Sequence, residues 1–393
     1  MSDLLYLAWR YVAFHRWKTT VLVLAITLVV FLPVTLNILV ERSAAQLMER
    51  ADETPLLIGA KGSPLELALN SLYFEGGAPD VMRYADAQVV QESGLAQPVP
   101  VYARFSASGY PIVGTTPDYF EFRQLKLASG RSVVMLGEAV IGAEVARNLG
   151  LHLGDAIVSA PESAFDLAGV YPLKMNIVGV LAPAYSADDK AVFTDIKTTW
   201  VIEGLGHGHQ DLADKAAAST VISRDESLIV ANASLVQYNE ITPENADSFH
   251  FHGDTSGYPI NGMLVVPNDA KSGVIFQGRM QTAESDLQII NPAEVITALL
   301  STVFTVQQFV IAAVAVVGGA TVMLAILVFL LSLRLRQRER LTLFKIGGSR
   351  GVIAGVMAAE VLTVLIASLL IATVLTALVG AYGTDLIRVF LVS

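Results

Sequence analysis

Two pairs of histidines have the spacing most typical of a chemical site in this 393-residue sequence. His207 and His209 flank a glycine, and His250 and His252 flank a phenylalanine. Residues two apart on a β-strand point to the same face, and imidazoles that converge from one face are common zinc ligands. The pairs therefore predict a metal site, with the alternative that both lie in polar loops and share no site.

Other catalytic arrangements are missing from the sequence. It contains no cysteine, which excludes disulfides, thiolate metal sites and a cysteine nucleophile. Residues 59–63, Gly-Ala-Lys-Gly-Ser, do not form the GxxxxGK[ST] motif of a phosphate loop and are interpreted as an ordinary turn. No Ser/His/Asp or paired-carboxylate set has a meaningful spacing. We predict that the chain is not an enzyme and holds no cofactor of its own.

Glu360 is a carboxylate inside an otherwise apolar run. A charge at this depth of a bilayer is costly, so it marks a function or a specific helix contact. Three interpretations stay open: Glu360 reaches the headgroups or a basic partner in the preceding loop, takes part in coupling, or relays protons. In another apolar run, Gly318 and Gly319 predict close helix packing or a hinge.

These polar residues must be positioned by three apolar runs, residues 21–40, 301–333 and 351–382, which we predict to be transmembrane helices. Residues 309–333 carry no charge, and at about 1.5 Å per residue they form roughly 38 Å of helix, against a hydrocarbon core of about 30 Å. Such a run must cross a membrane.

Charge gives the orientation. Residues 1–20 and 334–350 are both basic, although the whole chain has a formal net charge of −10. The positive-inside rule places both segments in the cytoplasm, the first as an interfacial helix and the second as a hairpin loop. The acidic remainder, chiefly residues 41–300, is then periplasmic, outside a bacterial inner membrane. An acidic outer domain argues against nucleic acid as a partner.

Residues 41–300 have the mixed periodicities of a soluble α/β domain. Within them, residues 115–200 predict a second, inserted lobe. A helix that begins at Pro292 continues into the second span. This one helix therefore joins the domain to the bilayer without a flexible linker. The predicted fold is an α-helical membrane protein with three transmembrane helices and a large periplasmic α/β domain of two lobes.

This order of elements resembles the MacB/LolC/FtsX superfamily of ABC-transporter permeases. EAVIGAEVARNLGLHLGDAIV (138–158) with MNIVGVLAP (175–183) resembles the inserted lobe, and RQRERLTLFKIGGSRGVI (336–353) resembles the cytoplasmic coupling loop. The resemblance implies that an ATPase docks on residues of this loop, namely Arg338, Glu339, Leu341, Phe344, Lys345, Gly347, Gly348 and Arg350.

The resemblance also implies the partners. A separately encoded ABC ATPase dimer would bind ATP and Mg²⁺, a second copy of this chain would complete the membrane part, and a periplasmic adaptor or lipoprotein would meet the outer domain. The apolar Leu341 and Phe344 favour a protein groove as the target of the loop. The alternative is that its arginines only anchor helix ends to anionic membrane lipid.

Family members usually have a fourth span, whereas three are predicted here, so we expect residues 383–393 to form a periplasmic C-terminal tail. Two functions compete. A permease would move a substrate out of the membrane or periplasm, and an FtsX-like mechanotransmitter would switch a periplasmic partner without transport. The length of the outer domain, about 260 residues, favours transport.

Overall fold

The computed structural model describes residues 6, 10, 13–160, 172–208, 221–225, 228–231, 239–282, 286–335, 337–345 and 349–392. The chain forms two compact units. Leu47–Leu299 make the outer domain, and the flanking segments Met1–Gln46 and Leu300–Ser393 make the membrane unit.

The α-helices that position the functional residues are three long ones and several short ones. Their bounds are α1 Arg16–Asp52, α2 Pro64–Ala68, α3 Ala85–Glu92, α4 Pro117–Phe122, α5 Ala143–Leu149, α6 Ile196–Ile202, α7 Ala270–Thr282, α8 Pro292–Leu335, α9 Gln337–Lys345 and α10 Arg350–Val392. A π-helical turn, Leu69–Tyr73, follows α2, and a 3₁₀ turn, Ala187–Lys190, precedes α6.

The strands belong to the outer domain. They are β1 Leu56–Ala60, β2 Met82–Arg83, β3 Ala96–Ala107, β4 Tyr110–Thr115, β5 Leu127–Gly130, β6 Glu138–Ile141, β7 Ala156–Val158, β8 Leu173–Leu181, β9 Val192–Asp195, β10 Gly206–Gly208, β11 Val221–Asp225, β12 Leu228–Ala231, β13 Asn239–Glu240, β14 Phe249–Phe251, β15 Pro259–Ile260, β16 Gly262–Pro267 and β17 Leu287–Ile290.

One mixed sheet of eleven strands organises the described part of this domain, in the order β13-β8-β6-β9-β4-β3-β16-β1-β17, with β5 and β7 also on β8. Its two faces bury separate apolar clusters. Leu56 and Ile58 of β1 join one cluster and Leu57 joins the other, as period-two alternation requires. Strand β8, LKMNIVGVL, alternates strictly between buried and half-buried residues.

The inserted lobe predicted over residues 115–200 does not have a separate sheet. Its strands β5 to β9 extend the common sheet, because β9 pairs in parallel with β4 through Ile112↔Val192 and Thr115↔Asp195. The two lobes are thus two ends of one sheet.

Among the residues that the structure describes, three helices are long and apolar enough to cross a membrane: Arg16–Asp52, Pro292–Ser332 and Ala354–Ala381. Leu22, Ala325 and Val364, one from each helix, form a common buried cluster. Thr27 Oγ1 donates a hydrogen bond to the Ser368 carbonyl across 3.2 Å. The predicted three-helix membrane part is therefore a packed bundle.

The structure differs from the sequence prediction at both ends. Residues 13 and 14 are helical and His15 forms a turn before α1 begins at Arg16, so residues 16–20 of the predicted interfacial segment belong to α1. Most of residues 1–12 lie outside the described residues, and the interfacial helix stays a prediction. Residues 383–392 continue α10 rather than forming a separate tail. Residues 383–392 contain no proline, the residue that most strongly ends a helix.

Candidate functional site

The histidines meet on a small ribbon of two antiparallel strands, β10 and β14. Its register pairs Gly206 with Phe251, His207 with His250, and Gly208 with Phe249. Directly opposite residues share a face, so His207 and His250 project to one side of the ribbon while the two phenylalanines project to the other.

The phenylalanine side of this ribbon packs against the apolar core, and this explains the Gly-His-Gly sequence of β10. A Cβ on Gly206 would lie 2.5 Å from the Phe251 ring, and one on Gly208 would lie 2.7 Å from the Phe249 ring. Both rings therefore need a glycine opposite. His207 is left as the only side chain of β10, on the outward face.

Trp200 of α6 backs the ribbon from inside. Its ring meets Phe251 edge-on at 6.2 Å between centroids and Tyr258 at 5.1 Å, and its indole nitrogen donates to the Pro259 carbonyl at 2.8 Å. The Tyr258 hydroxyl lies 3.0 Å from the His252 carbonyl oxygen and 3.2 Å from the Leu205 carbonyl oxygen. The ribbon that presents the histidines is thus supported on its inner side by a cluster of aromatic side chains.

Three of the four predicted ligands come together. His207, His250 and His252 offer ring nitrogens that all lie within 4.8 Å of one another. The Nε2 atoms of His207 and His252 are 3.3 Å apart, and Nδ1 of His250 is 3.1 Å from the Ser248 carbonyl oxygen. His209 lies outside the described residues. The i,i+2 spacing predicted that two histidines of one strand share a face. It could not predict that His207 and His250 lie opposite each other on two different strands.

The coupling loop contains a short helix, α9, between α8 and α10. Leu341 and Phe344, three positions apart on α9, are 54% and 52% exposed and form an apolar face with Arg338 and Lys345 also exposed. The side chains of Glu339 and Arg350, and residues Gly347 and Gly348 altogether, lie outside what the structure describes.

Glu360 of α10 has a cationic partner from the first span. Its carboxylate lies 3.6 Å from Nζ of Lys18, and this ammonium also donates to Ser332 Oγ at 2.7 Å and stands 5.2 Å from the centre of the Phe329 ring. A basic partner in the loop after the second span was one of three open interpretations of Glu360, and it stays a prediction because many side chains of that loop lie outside what the structure describes. Among the described contacts, Lys18 of the first span approaches both Ser332 of the second and Glu360 of the third.

Gly318 and Gly319 of the second span differ in how closely another helix packs against them. A Cβ on Gly318 would lie 2.9 Å from Cγ1 of Val29 in α1, whereas one on Gly319 would meet nothing within 4 Å. Gly318 is therefore the residue that lets the second span approach the first closely.

A buried charged cluster in the outer domain was not predicted. Arg50, near the end of α1, donates to both carboxylate oxygens of Asp188 at 2.6 and 2.9 Å and to the Tyr119 hydroxyl at 2.7 Å. The Arg50 Nε also donates to the Leu72 carbonyl. Burial alone would raise the pKa of Asp188, but the Arg50 guanidinium and the hydroxyls of Tyr119 and Ser186 hold that pKa below its ordinary value.

Comparisons with known proteins place the chain in a family. The family of the MacB-like periplasmic core domain matches residues 19–237, more than half of the sequence. The chain belongs to this family, and with its three apolar helices it is a MacB/FtsX-like ABC-transporter permease. No curated protein matches the sequence.

Three solved structures are similar in fold. The periplasmic region of MacB from Actinobacillus actinomycetemcomitans is 11% identical, with a TM-score of 0.35, over 64% of this chain and 97% of that one. The extracellular domain of the noncanonic ABC-type transporter YknZ from Gram-positive bacteria is 10% identical, with a TM-score of 0.33, over 60% and 98%. A domain of a putative permease from Porphyromonas gingivalis is 14% identical, with a TM-score of 0.26, over 60% and 86%.

Proposed function

We propose that this chain is the transmembrane subunit of an ABC transporter of the bacterial inner membrane. Two copies work with a separate ATPase dimer, which binds ATP and Mg²⁺, and the resulting motion of the periplasmic domains drives export or extraction of a substrate from the membrane or the periplasm. The N-terminus and α9 lie in the cytoplasm.

The observation that carries this proposal is the way two spans connect to the outer sheet. Helix α1 leads into β1 through residues 53–55, and β17 leads into α8 through Asn291 alone. Strands β1 and β17 pair antiparallel, from Leu57↔Ile290 to Ala60↔Leu287. A displacement of one span against the other therefore acts on two hydrogen-bonded strands, which cannot slide without breaking their register.

The ends of both helices are fixed. Asn291 caps α8, its Oδ1 accepting from the Ala293 amide at 3.0 Å, and Pro292 begins the helix, where a missing N–H costs nothing. At the end of α1, the bidentate pair of Arg50 with Asp188 prevents this last turn from rotating within the outer domain. Both features favour transmission of motion over a loose tether.

Helix α9 is the proposed receiving surface. Leu341 and Phe344 present an apolar face of the kind that fits a protein groove, and the neighbouring Arg338 and Lys345 supply charge around it. The alternative is that the basic residues anchor α9 to anionic lipid while its apolar side chains enter the membrane interface. We favour a docked ATPase because α9 lies in the loop that joins the second and third spans.

Substitution on α9 tests the proposal. Leu341→Asp or Phe344→Asp should release the ATPase from the purified complex and abolish the permease-stimulated part of ATP hydrolysis. Thr342→Asp is the matched control, because it adds the same charge to the same helix at a position about 100° around the helix axis from Leu341. If the Leu341 and Phe344 variants retain the ATPase and stimulated turnover, α9 is an anchor and the coupling proposal is wrong.

Transport and mechanotransmission give different results in vesicles. In proteoliposomes that contain the chain and its ATPase, ATP-dependent loss of a lipophilic fluorescent probe from the bilayer supports extraction. ATP-dependent change in the distance between labelled outer domains, without loss of any probe, supports a transmitter that acts on a periplasmic adaptor, lipoprotein or other partner.

A further inference from the structure

We propose that His207, His250 and His252 bind a zinc-class divalent transition-metal ion on the outer domain. The proposal is independent of coupling to an ATPase, because it rests on three side chains of one ribbon. It gives the histidines a chemical role that the permease function does not require.

The distances suit a tetrahedral ion. Zinc lies about 2.0–2.1 Å from imidazole nitrogen, and a tetrahedral angle then separates two ligand nitrogens by about 3.3–3.4 Å. The Nε2 atoms of His207 and His252 are 3.3 Å apart. An ion placed between them would replace the single proton that these two nitrogens otherwise share.

His250 can supply the third ligand. With its proton on Nδ1, the ring of His250 donates to the Ser248 carbonyl, 3.1 Å away, and its Nε2 keeps the lone pair that a metal needs. Zinc-binding histidines are commonly held in this way by a backbone carbonyl. One ring nitrogen of each of the three histidines lies within 4.8 Å of the others, so His250 completes the set once its side chain turns to bring Nε2 to bonding distance of the ion.

The imidazole ligands determine which metal ions this site would prefer. Mg²⁺ and Ca²⁺ take oxygen ligands, whereas imidazole favours zinc, copper, nickel and cobalt. Three imidazoles leave a fourth position of a tetrahedral ion open to water or to a donor from another molecule. His207 is half-buried and His252 is exposed, so an incoming ion or ligand reaches the site from solvent.

The backbone keeps two ligands in register. Gly206 and Gly208 allow Phe251 and Phe249 to cross β10, and this fixes His207 opposite His250. The chain leaves this ribbon after β10 and returns to it at β14, so a bound ion would fasten both ends of the intervening segment. Binding to the folded state alone would then raise the melting temperature.

Cobalt titration of the metal-free full-length chain in detergent tests the site. We expect one Co²⁺ per chain with the visible absorption of tetrahedral coordination, displaced by Zn²⁺. His207→Ala and His252→Ala should each weaken binding by at least about tenfold and remove the rise in melting temperature. His152→Ala is the control, since this histidine is 84% exposed and lies elsewhere in the domain beside Asp155.

The folded state must be checked independently of metal. Both variants should elute as the parent does and melt at the parent's temperature in EDTA, because His252 is at the surface and His207 points away from the core. The proposal is overturned if the parent binds Zn²⁺ no more tightly than the micromolar range, or if either variant binds it as the parent does. ATPase stimulation does not require an ion at these three histidines under this proposal, so its loss in the α9 variants has a separate cause.

Discussion

Arg50 and Asp188 form a buried bidentate ion pair in the outer domain, although 138 residues separate them in the chain. Arg50 lies in the last turn of the helix that begins in the membrane unit, and Asp188 lies in the 3₁₀ turn before β9. Their side chains are 8% and 2% exposed, so each charge depends on the other for compensation. This contact makes the end of α1 an integral part of the sheet domain.

Neutralising one partner should be costly. Asp188→Asn leaves the Arg50 guanidinium buried without its counter-charge, and we expect a loss of about 3–5 kcal/mol in the free energy of unfolding. Arg50→Met combined with Asp188→Leu removes both charges and should recover most of that loss. The measurement is thermal unfolding followed by Trp200 fluorescence, with Trp9 and Trp17 replaced by Phe. Equal destabilisation in the single and double variants would contradict the assignment.

Acid should destabilise the outer domain through Glu138. Hydrogen bonds from Arg131, at the first strand of the inserted lobe, lower the pKa of Glu138 to about 2, with the Val134 and Met135 amides contributing. A carboxyl with a lowered folded-state pKa stabilises the fold above its unfolded-state pKa and loses this contribution as the pH falls. Stability should therefore fall between about pH 4.5 and pH 2.

Glu138→Gln isolates this effect. The variant should be less stable than the parent at neutral pH, and its stability should vary less with pH over that window, as measured by denaturant unfolding at successive pH values. The residual slope reports the remaining carboxylates, chiefly Asp188. A variant with the parent's full pH dependence would show that Glu138 does not contribute.

Gly142 permits the turn that carries Asp188. A Cβ at this position would lie 2.3–2.4 Å from backbone atoms of Asp188 and Asp189, which cannot move aside as a side chain can. We expect Gly142→Ala to lower the melting temperature and to weaken the Arg50 pair. Gly62→Ala is the matched control, because a Cβ there meets nothing within 4 Å. Equal melting temperatures for the two variants would argue against a tight turn.

The sequence predicted what depends on local pattern. The three spans follow from uncharged runs such as residues 309–333. The i,i+2 spacing of His250 and His252 predicted their common face. In each case the responsible residues are neighbours, so periodicity and length were sufficient.

Contacts between distant segments could not be predicted in this way. Nothing in the sequence links Arg50 to Asp188 or Lys18 to Glu360, because ordinary charged residues carry no mark of their partner. The pairing of His207 with His250 depends on the register of two strands that about 40 residues separate. The glycines on either side of His207 were the available signal, since they predict close approach by another side chain.

The next prediction concerns the orientation of the three spans in the membrane, which the packing of the helices does not determine. If residues 334–350 are cytoplasmic, α10 ends outside, and alkaline phosphatase fused after Ser393 should be active. A fusion after Lys345 is the internal control and should be inactive. An inactive fusion at Ser393, with a cytoplasmic reporter active at the same point, would contradict this topology and mean that a span was missed.

The pair of Lys18 and Glu360 gives the last prediction. Lys18 contacts Glu360 at 3.6 Å and Ser332 at 2.7 Å, so it links the first span to both others at the end of the bundle nearest α9. Lys18→Met leaves the Glu360 carboxylate in apolar surroundings without this cation, and we expect a lower melting temperature of the detergent-solubilised chain.

Adding Glu360→Gln to Lys18→Met should restore part of that loss, because the carboxylate that has lost the Lys18 cation is then replaced by a neutral amide. The coupling interpretation of Glu360 further requires that stimulated ATP turnover falls in Lys18→Met while the ATPase still co-purifies, since α9 itself is intact. A proton relay requires instead that Glu360→Gln abolishes turnover and that the double variant does not recover it. Unchanged melting and unchanged turnover in all three variants would leave Glu360 no role in holding or moving the bundle.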